Sequence, residues 1–295
     1  SDTDTSASSL IKRPFYVALL FLGVAFLAQR ERDRLLHVLS IATLLAAISA
    51  LGSIAYFLIQ GAEGRLSGYG ALENPLLTSH VYGMFAAVAL ATIFVRHDRW
   101  PMTVAVLLCL LALILLTGSR TPLAGLTMAS LWLLAIRGEK RGRWIFFALA
   151  VSAACIVALY PEAILNRGLS YRPEIWYQSA LQIAERPWFG YGYDSPMSFC
   201  VAELDQCFTD PHNLVLAVVY CGGLIGGVLW LGLLLGALGY AWKERRNSLV
   251  AVFSTTLVFG ITAGLTEGES FLSRPKEHWF LIWIPLALLA AALDL

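Results

Sequence analysis

Three basic side chains stand in turns or at helix ends of this sequence, where they could bind an anion or move a proton. The first is Arg120, in the short segment 118–122 (Gly-Ser-Arg-Thr-Pro) between two apolar runs. A turn this tight between two helices has no structural need for an arginine, and a guanidinium group binds phosphate through a planar set of N–H donors. Arg120 is therefore a candidate phosphate ligand, and an arginine that only reaches toward lipid headgroups is the alternative.

The second is Arg172, which precedes a helix that we predict over 173–186, within the long loop 161–211. Pro173 suits the first helical position, and Pro187 ends the helix. A guanidinium beside the free N–H groups of a helix N-terminus is well placed to bind a phosphate. We predict that this helix is amphipathic, because Trp176, Ala180 and Ile183 form an apolar stripe as expected of a helix on the bilayer surface. For Arg172, the alternative to a phosphate ligand is an interfacial anchor that pairs with lipid headgroups.

The third is His212, which is followed by Asn213 and begins another apolar run directly after Pro211. A neutral imidazole can take a proton from a hydroxyl group at physiological pH. A histidine at the mouth of a helix is more commonly structural, because it caps the helix or forms hydrogen bonds with it. On the sequence alone, both interpretations of His212 stay open.

Several familiar site types do not occur in the sequence. It has no Asp-x-Asp pair of the kind that holds a nucleotide-sugar metal, no phosphate-binding glycine-rich loop and no Cys/His spacing typical of metal ligands. We therefore expect no metal and no other cofactor.

The elements that must position these residues are membrane helices. Of the 295 residues, 58% are hydrophobic and only 14% are charged, and the apolar runs of about 17 to 25 residues can cross roughly 30 Å of hydrocarbon. We predict an all-α, polytopic integral membrane protein with a single transmembrane domain over 1–295. The nine predicted spans are approximately 14–28, 36–59, 76–95, 102–117, 122–136, 144–160, 212–242, 249–265 and 279–293.

Basic residues indicate the orientation of these spans. Four short connections hold 12 of the 21 Lys and Arg residues, and the positive-inside rule puts them in the cytoplasm. The long loop 161–211 then faces the periplasm or cell exterior, where we predict a disulfide between Cys200 and Cys207. The same outer face carries all the candidate site residues: Arg65, Arg120, Arg172 and His212.

The predicted orientation puts the N-terminus outside, although it carries Lys12 and Arg13. We expect an odd number of further helices upstream in the natural protein or in a fuller relative; a natural N-out protein is the alternative. The interior of the spans has almost no charged residue, and His80 is the main ionisable exception. Because ion and substrate pathways usually need such residues, we expect the function on the outer face.

Three segments carry motifs in a fixed order on that face: Ser119–Arg120 in the turn, Arg-Pro-Glu-Ile-Trp at 172–176 with Pro-Trp-Phe-Gly-Tyr-Gly at 187–192, and His212–Asn213 leading into the glycines at 222–226. This set, over about 65–235, resembles the O-antigen ligase and O-antigen polymerase superfamily of bacterial membrane glycosyltransferases. The resemblance implies about twelve transmembrane helices and a large periplasmic loop. The nine spans predicted here are consistent with missing N-terminal helices.

The resemblance also implies a reaction. Such enzymes transfer a glycan from undecaprenyl diphosphate to an acceptor, which for a ligase is lipid A–core oligosaccharide, on the periplasmic face of the bacterial inner membrane. The motif matches imply His212, Arg120 and Arg172 as catalytic residues, with both arginines and Arg65 binding the donor diphosphate. The implied transfer is metal-independent and inverts the anomeric configuration. The implied partners include membrane lipid and no nucleic acid.

Other functions remain open on the sequence. An O-antigen polymerase or a protein O-oligosaccharyltransferase of the same superfamily would use the same donor and chemistry. The signature from His212 to Gly226 and the final span from Trp279 favour the ligase. A lipid-linked glycan flippase without chemistry would need polar groups along a cavity through both leaflets, which this charge-poor interior does not offer.

Overall fold

The computed structural model describes residues 7–95, 100–138, 171–201, 206–266 and 271–293, and these are mostly helical. The α-helices are Ala7–Ile59 (α1), Pro75–Val95 (α2), Trp100–Leu116 (α3), Thr121–Arg137 (α4), Arg172–Glu185 (α5), Leu214–Lys243 (α6), Ser248–Gly264 (α7) and Trp283–Ala292 (α8). Two 3₁₀ helices, Gly70–Leu72 and Glu277–Phe280, and the antiparallel strands Phe199–Val201 (β1) and Gln206–Phe208 (β2) complete the described elements.

Apolar helices dominate this list, as predicted. The segments long and apolar enough to cross a membrane are Ala7–Arg30, Arg34–Ile59, Pro75–Val95 and Leu214–Lys243. Shorter apolar helices are Trp100–Leu116, Thr121–Arg137, Ser248–Gly264 and Glu277–Ala292. These segments coincide with eight of the predicted spans, whereas the predicted span 144–160 lies outside the described residues. The chain is therefore an α-helical membrane protein, and its one departure from all-α structure in the described ranges is the small β-ribbon.

The predicted connection between the first two spans is wrong, because α1 is continuous from Ala7 to Ile59. Its 53 residues correspond to a length of about 80 Å at 1.5 Å per residue. The charged stretch 29–37 contains neither glycine nor proline and is rich in Gln, Arg, Glu and Leu. These residues are good helix formers, so local propensity carries the helix through the charges that we interpreted as a loop.

The chain divides into two compact units, named here by their main content. The helix unit comprises the described parts of Val17–Phe147, Ala237–Ala263 and Pro275–Leu295. The loop unit comprises the described parts of Ser1–Tyr16, Ala148–Gly236 and Gly264–Arg274. Each candidate residue can be assigned to one of these units.

In the helix unit, α2 is the central element. Most of its side chains are buried, including His80, which is only 2% exposed. The ring of Phe259 from α7 lies directly against Gly83 of α2 and Gly125 of α4. This close packing joins α7, α2 and the first turns of α4, the helix that follows the Gly118–Arg120 turn.

In the loop unit, a small apolar core joins three elements. Its buried members are Ile175, Met197, Phe199 and Tyr220. Helix α5 matches the predicted helix within one residue at each end, but it buries Ile175 and Ser179, while Ala180 of the predicted stripe is exposed. Trp176 and Ile183 pack against the same core. The predicted stripe therefore faces protein on two of its three positions.

The β-ribbon carries the predicted disulfide. Cys200 and Cys207 are cross-strand partners and are bonded, with their Cα atoms 3.9 Å apart. Strands of three residues are too short to be stable alone, and a disulfide typically adds about 2–4 kcal/mol. The rings of Phe199 and Phe208 stack beside the bond at 6.0 Å, so the ribbon is fixed to the loop-unit core.

Helix α6 differs from the predicted span 212–242. It begins at Leu214 and is interrupted at Gly223, which has φ 64° and ψ −167°. Gly223 lies against the backbone of Trp188, in the segment 187–192 of the long loop.

Candidate functional site

The turn that carries Arg120 is held by Arg65 of the helix unit. The Nε atom of Arg65 donates to the carbonyl oxygen of Thr117 at 2.6 Å, and one terminal nitrogen donates to Oγ of Ser119 at 2.9 Å. The amide of the next residue, Leu66, donates to the carbonyl oxygen of Leu116 at 3.1 Å. Arg65 therefore braces the turn, and its predicted contact with the donor diphosphate stays a prediction.

Arg120 lies at the N-cap position of α4 and is exposed. Gly118 takes a positive φ of 62° just before it, and Pro122 stands in the first helical turn after it. Because the first amide groups of a helix lack partners within the helix, its N-terminus attracts anions. A guanidinium at this point is suited to bind a phosphate.

Arg172 lies in the loop unit, at the first position of α5, and is half-buried. The preceding Tyr171 is in the left-handed region with φ 54°, and Glu174 lies in the first turn. The amide of Ile175 closes the first turn by donating to the carbonyl oxygen of Tyr171 at 3.0 Å. Arg172 thus also lies at a helix N-terminus, one position further into its helix than Arg120 and in the other unit.

His212 is held by a carboxylate that our sequence analysis did not identify. Its Nδ1 atom lies 3.0 Å from Oδ1 of Asp210, and its backbone amide donates to the same oxygen at 2.8 Å. The ring also meets Phe208 of the disulfide-bonded ribbon edge-on, with centroids 6.0 Å apart. When Nδ1–H donates to a carboxylate, Nε2 is the basic nitrogen of the imidazole. The pair can therefore accept a proton at Nε2.

Asn213, the partner of His212 in the motif, has a structural role. Its Oδ1 atom accepts hydrogen bonds from the amides of Val215 and Leu216, at 2.9 and 3.1 Å, and so caps α6. Its Nδ2 atom donates to the carbonyl oxygen of Leu265 at 2.8 Å. Since Asn213 caps the helix, the capping alternative considered for the side chain of His212 is not needed.

Other charged groups of the loop unit form structural contacts. Arg13 donates to Asp194 at 2.7 Å and to the hydroxyl of Tyr193 at 2.9 Å. The carboxylate of Glu185 accepts a hydrogen bond from the hydroxyl of Tyr191 at 2.6 Å and raises the pKa of that phenol above its ordinary value. These contacts tie the start of α1 and the end of α5 to the segment 191–194.

The structure thus groups the predicted residues in pairs. Arg65 and Arg120 meet at one turn of the helix unit, while Arg172 and His212 stand on elements that share the loop-unit core. Sequence reasoning missed Asp210. The available signal was its position two residues before His212, since an Asp side chain often accepts a hydrogen bond from the amide two residues on.

The described residues combine apolar helices with reactive polar groups outside the spans. This combination is typical of an integral-membrane enzyme and not of a pore or a pump. Residues 104–231 match a family model described as O-Antigen ligase. The chain is also 47% identical over 293 residues to an O-antigen ligase of Pseudomonas aeruginosa strain PAO1, a match that covers 99% of this chain and 73% of that relative. The chain belongs to the O-antigen ligase family, which confirms the resemblance carried by the motifs.

Proposed function

We propose that this protein transfers a glycan from undecaprenyl diphosphate to lipid A–core oligosaccharide, at the periplasmic face of the bacterial inner membrane. The proposal is supported by the relative named O-antigen ligase and by the matched region, which contains Arg120, Arg172 and His212. The structural observation that carries the mechanism is the distance of 3.0 Å between Nδ1 of His212 and Asp210.

In the proposed reaction, a hydroxyl oxygen of the acceptor attacks the anomeric carbon of the donor glycan. The new carbon–oxygen bond forms as the bond from that carbon to the phosphate oxygen breaks, and its electron pair leaves with the lipid diphosphate. Nε2 of His212 takes the proton of the hydroxyl group. Attack from the side opposite the leaving group inverts the anomeric configuration.

The leaving diphosphate gains negative charge as the bond breaks. We assign the stabilisation of that charge to Arg120 and Arg172. Each of these arginines stands at a helix N-terminus, and fixed guanidinium donors stabilise a developing anion. Arg65 is predicted as a further diphosphate ligand. Its two hydrogen bonds to the turn support a first role in positioning Arg120.

The orientation of the spans completes the proposal. The basic connections 96–99, 137–143 and 243–246 would lie in the cytoplasm, and the loop with Arg172 and His212 in the periplasm. The predicted outside position of the N-terminus is not carried into the proposal, because it required a turn between the first two spans and α1 is continuous there.

Deleting the gene in a strain that makes O-antigen tests the proposal. Gel analysis of lipopolysaccharide should show bare core, and extraction should show accumulated lipid-linked polymer. Wild-type protein should restore the ladder, whereas His212→Gln at the same protein level should not. Core carrying a single repeat would instead indicate a polymerase, and an unchanged ladder would contradict any ligase function.

A further inference from the structure

The interruption of α6 is a sharp bend. The φ and ψ of Gly223, 64° and −167°, fall in a region that is essentially restricted to glycine. A Cβ placed on Gly227 would lie only 2.8 Å from Cγ2 of Val219, although eight residues of straight helix correspond to about 12 Å. The two halves of α6 therefore turn toward each other at Gly223.

The segment 187–192 of the long loop fills this bend. The amide of Leu224 donates to the carbonyl oxygen of Pro187 at 2.7 Å, and the amide of Tyr191 donates to that of Tyr220 at 2.9 Å. A Cβ on Gly223 would lie 2.2 Å from the carbonyl group of Trp188, so the two backbones are in direct contact. The helix ends exposed by the break are thus hydrogen-bonded to the loop, as apolar surroundings require.

This contact leaves two large side chains of the loop on the surface. Trp188 is 64% exposed and Phe189 is 77% exposed. The amide of Ile225 donates to the carbonyl oxygen of Trp188 at 3.4 Å, which places the aromatic pair beside the start of the second half of α6. Exposed apolar side chains continue along that half-helix: Leu224, Ile225, Val228 and Leu229.

The length of the second half places this surface in the membrane. The stretch 224–243 has 20 residues, which span about 30 Å, the thickness of the hydrocarbon core. It ends at Lys243, and Arg245 and Arg246 follow, so the positive-inside rule puts that end at the cytoplasmic boundary. Leu224 then lies at the outer boundary, at the depth where tryptophan is enriched in membrane proteins.

We propose that Trp188 and Phe189 insert into the outer headgroup region of the bilayer and anchor the loop unit to the lipid surface. The occupant of this apolar surface is membrane lipid, because the surface continues directly into the lipid-facing side of α6. The first half of α6 then stands outside the hydrocarbon.

The anchor also sets the depth of His212 in the membrane, an inference that rests on the proposed function. His212 lies two residues before α6, and the helical stretch from Leu214 to the anchored bend at Gly223 is about 15 Å long. The diphosphate of a lipid-linked donor lies at the headgroup level. The bend would therefore keep the proposed proton acceptor close to the depth of the reacting phosphate.

Spin labelling tests the insertion without any measurement of activity. Cys109, Cys155 and Cys221 are replaced by alanine, the Cys200–Cys207 disulfide is kept, and a single cysteine for the label replaces Phe189. The matched control carries the label at Glu174, an exposed position of α5 in the same unit. Both proteins are reconstituted in phospholipid vesicles, and collision rates with oxygen and with a water-soluble nickel complex are measured.

Insertion predicts frequent collisions with oxygen and few with the nickel complex at position 189, and the opposite at position 174. Equal access of the nickel complex to the two positions would overturn the proposal. A second measurement avoids labels: brominated lipids should quench less fluorescence in Trp188→Phe than in the wild type. Equal quenching of the two proteins would also overturn it. Neither result depends on whether His212 is catalytic.

Discussion

At the scale of single residues, His212 is fixed from three sides. Its backbone is in the left-handed region with φ 46°, a conformation that costs about 1–3 kcal/mol for most residues. The amide and Nδ1 both contact Asp210, and the ring contacts Phe208. Such a set of contacts holds one ring orientation before the substrate arrives, as expected for a proton acceptor that needs a defined geometry.

Asp210→Asn should therefore slow transfer by about tenfold or more, a part of the 10² to 10⁴ that a general base contributes. An amide can hold the backbone turn but no longer favours the tautomer with a basic Nε2. Donor binding should be unchanged. The measurement is the transfer rate and donor affinity of purified variants, together with the double variant Asp210→Asn/His212→Gln.

The double variant separates positioning from an independent role. If Asp210 acts through His212, the double variant should be no slower than His212→Gln alone. Multiplied losses would show that Asp210 works on another group.

Lysine variants test whether Arg120 and Arg172 bind the donor diphosphate through two donors each. Arg120→Lys and Arg172→Lys should each lower the transfer rate by about 10²-fold, nearly as much as alanine, because lysine lacks the planar pair of donors that binds a phosphate. Donor affinity should fall with the rate. Arg186→Lys, in the same loop with its guanidinium over the ring of Tyr191, is the control and should stay active. Full transfer by both lysine variants would refute a bidentate phosphate contact.

At the scale of elements, the long loop and α6 form one structure. The loop supplies hydrogen bonds to the interrupted helix, and the helix supplies the glycine at which the loop can approach. Each segment alone would expose unpaired backbone groups. Their pairing explains why the motif 187–192 and the glycines of α6 occur in one chain.

Two adjacent glycines allow a matched test of this structure. Gly223→Ala should destabilise the protein by about 3 kcal/mol or more, since alanine rarely adopts that φ and its Cβ would collide with the backbone of Trp188. At Gly222, a Cβ meets nothing within 4 Å among the described residues. Gly222→Ala should be neutral or slightly stabilising. Thermal unfolding in detergent compares them, and equal melting temperatures would contradict the assigned bend.

At the scale of the whole molecule, the sequence predicted the apolar helices well because hydrophobic runs have a length set by the bilayer. It predicted α5 from two prolines and the disulfide from two cysteines in one loop. It did not predict the bend at Gly223, because the loop segment that stabilises the bend is distant in sequence. The same holds for Arg65, whose partners Thr117 and Ser119 lie more than fifty residues away.

Orientation is a property of the whole chain and can be measured by cysteine labelling in intact cells. A cysteine at Ser198 in the long loop should react with an impermeant reagent, whereas one at Arg246 should react only after permeabilisation. The reason is the nine basic residues in the short connections 96–99, 137–143 and 243–246. The reverse pattern would invert the topology and remove the proposed site from the periplasm.

The central claim is that His212 accepts the proton of the acceptor hydroxyl during glycan transfer. The most direct test is the rate at which purified protein joins a polyprenyl-diphosphate-linked glycan to lipid A–core, measured for the wild type and for His212→Gln. The wild type should form core-linked product, whereas the variant should lose about 10² to 10⁴ in rate and still bind the donor. A near-normal rate for His212→Gln would contradict proton transfer by this side chain.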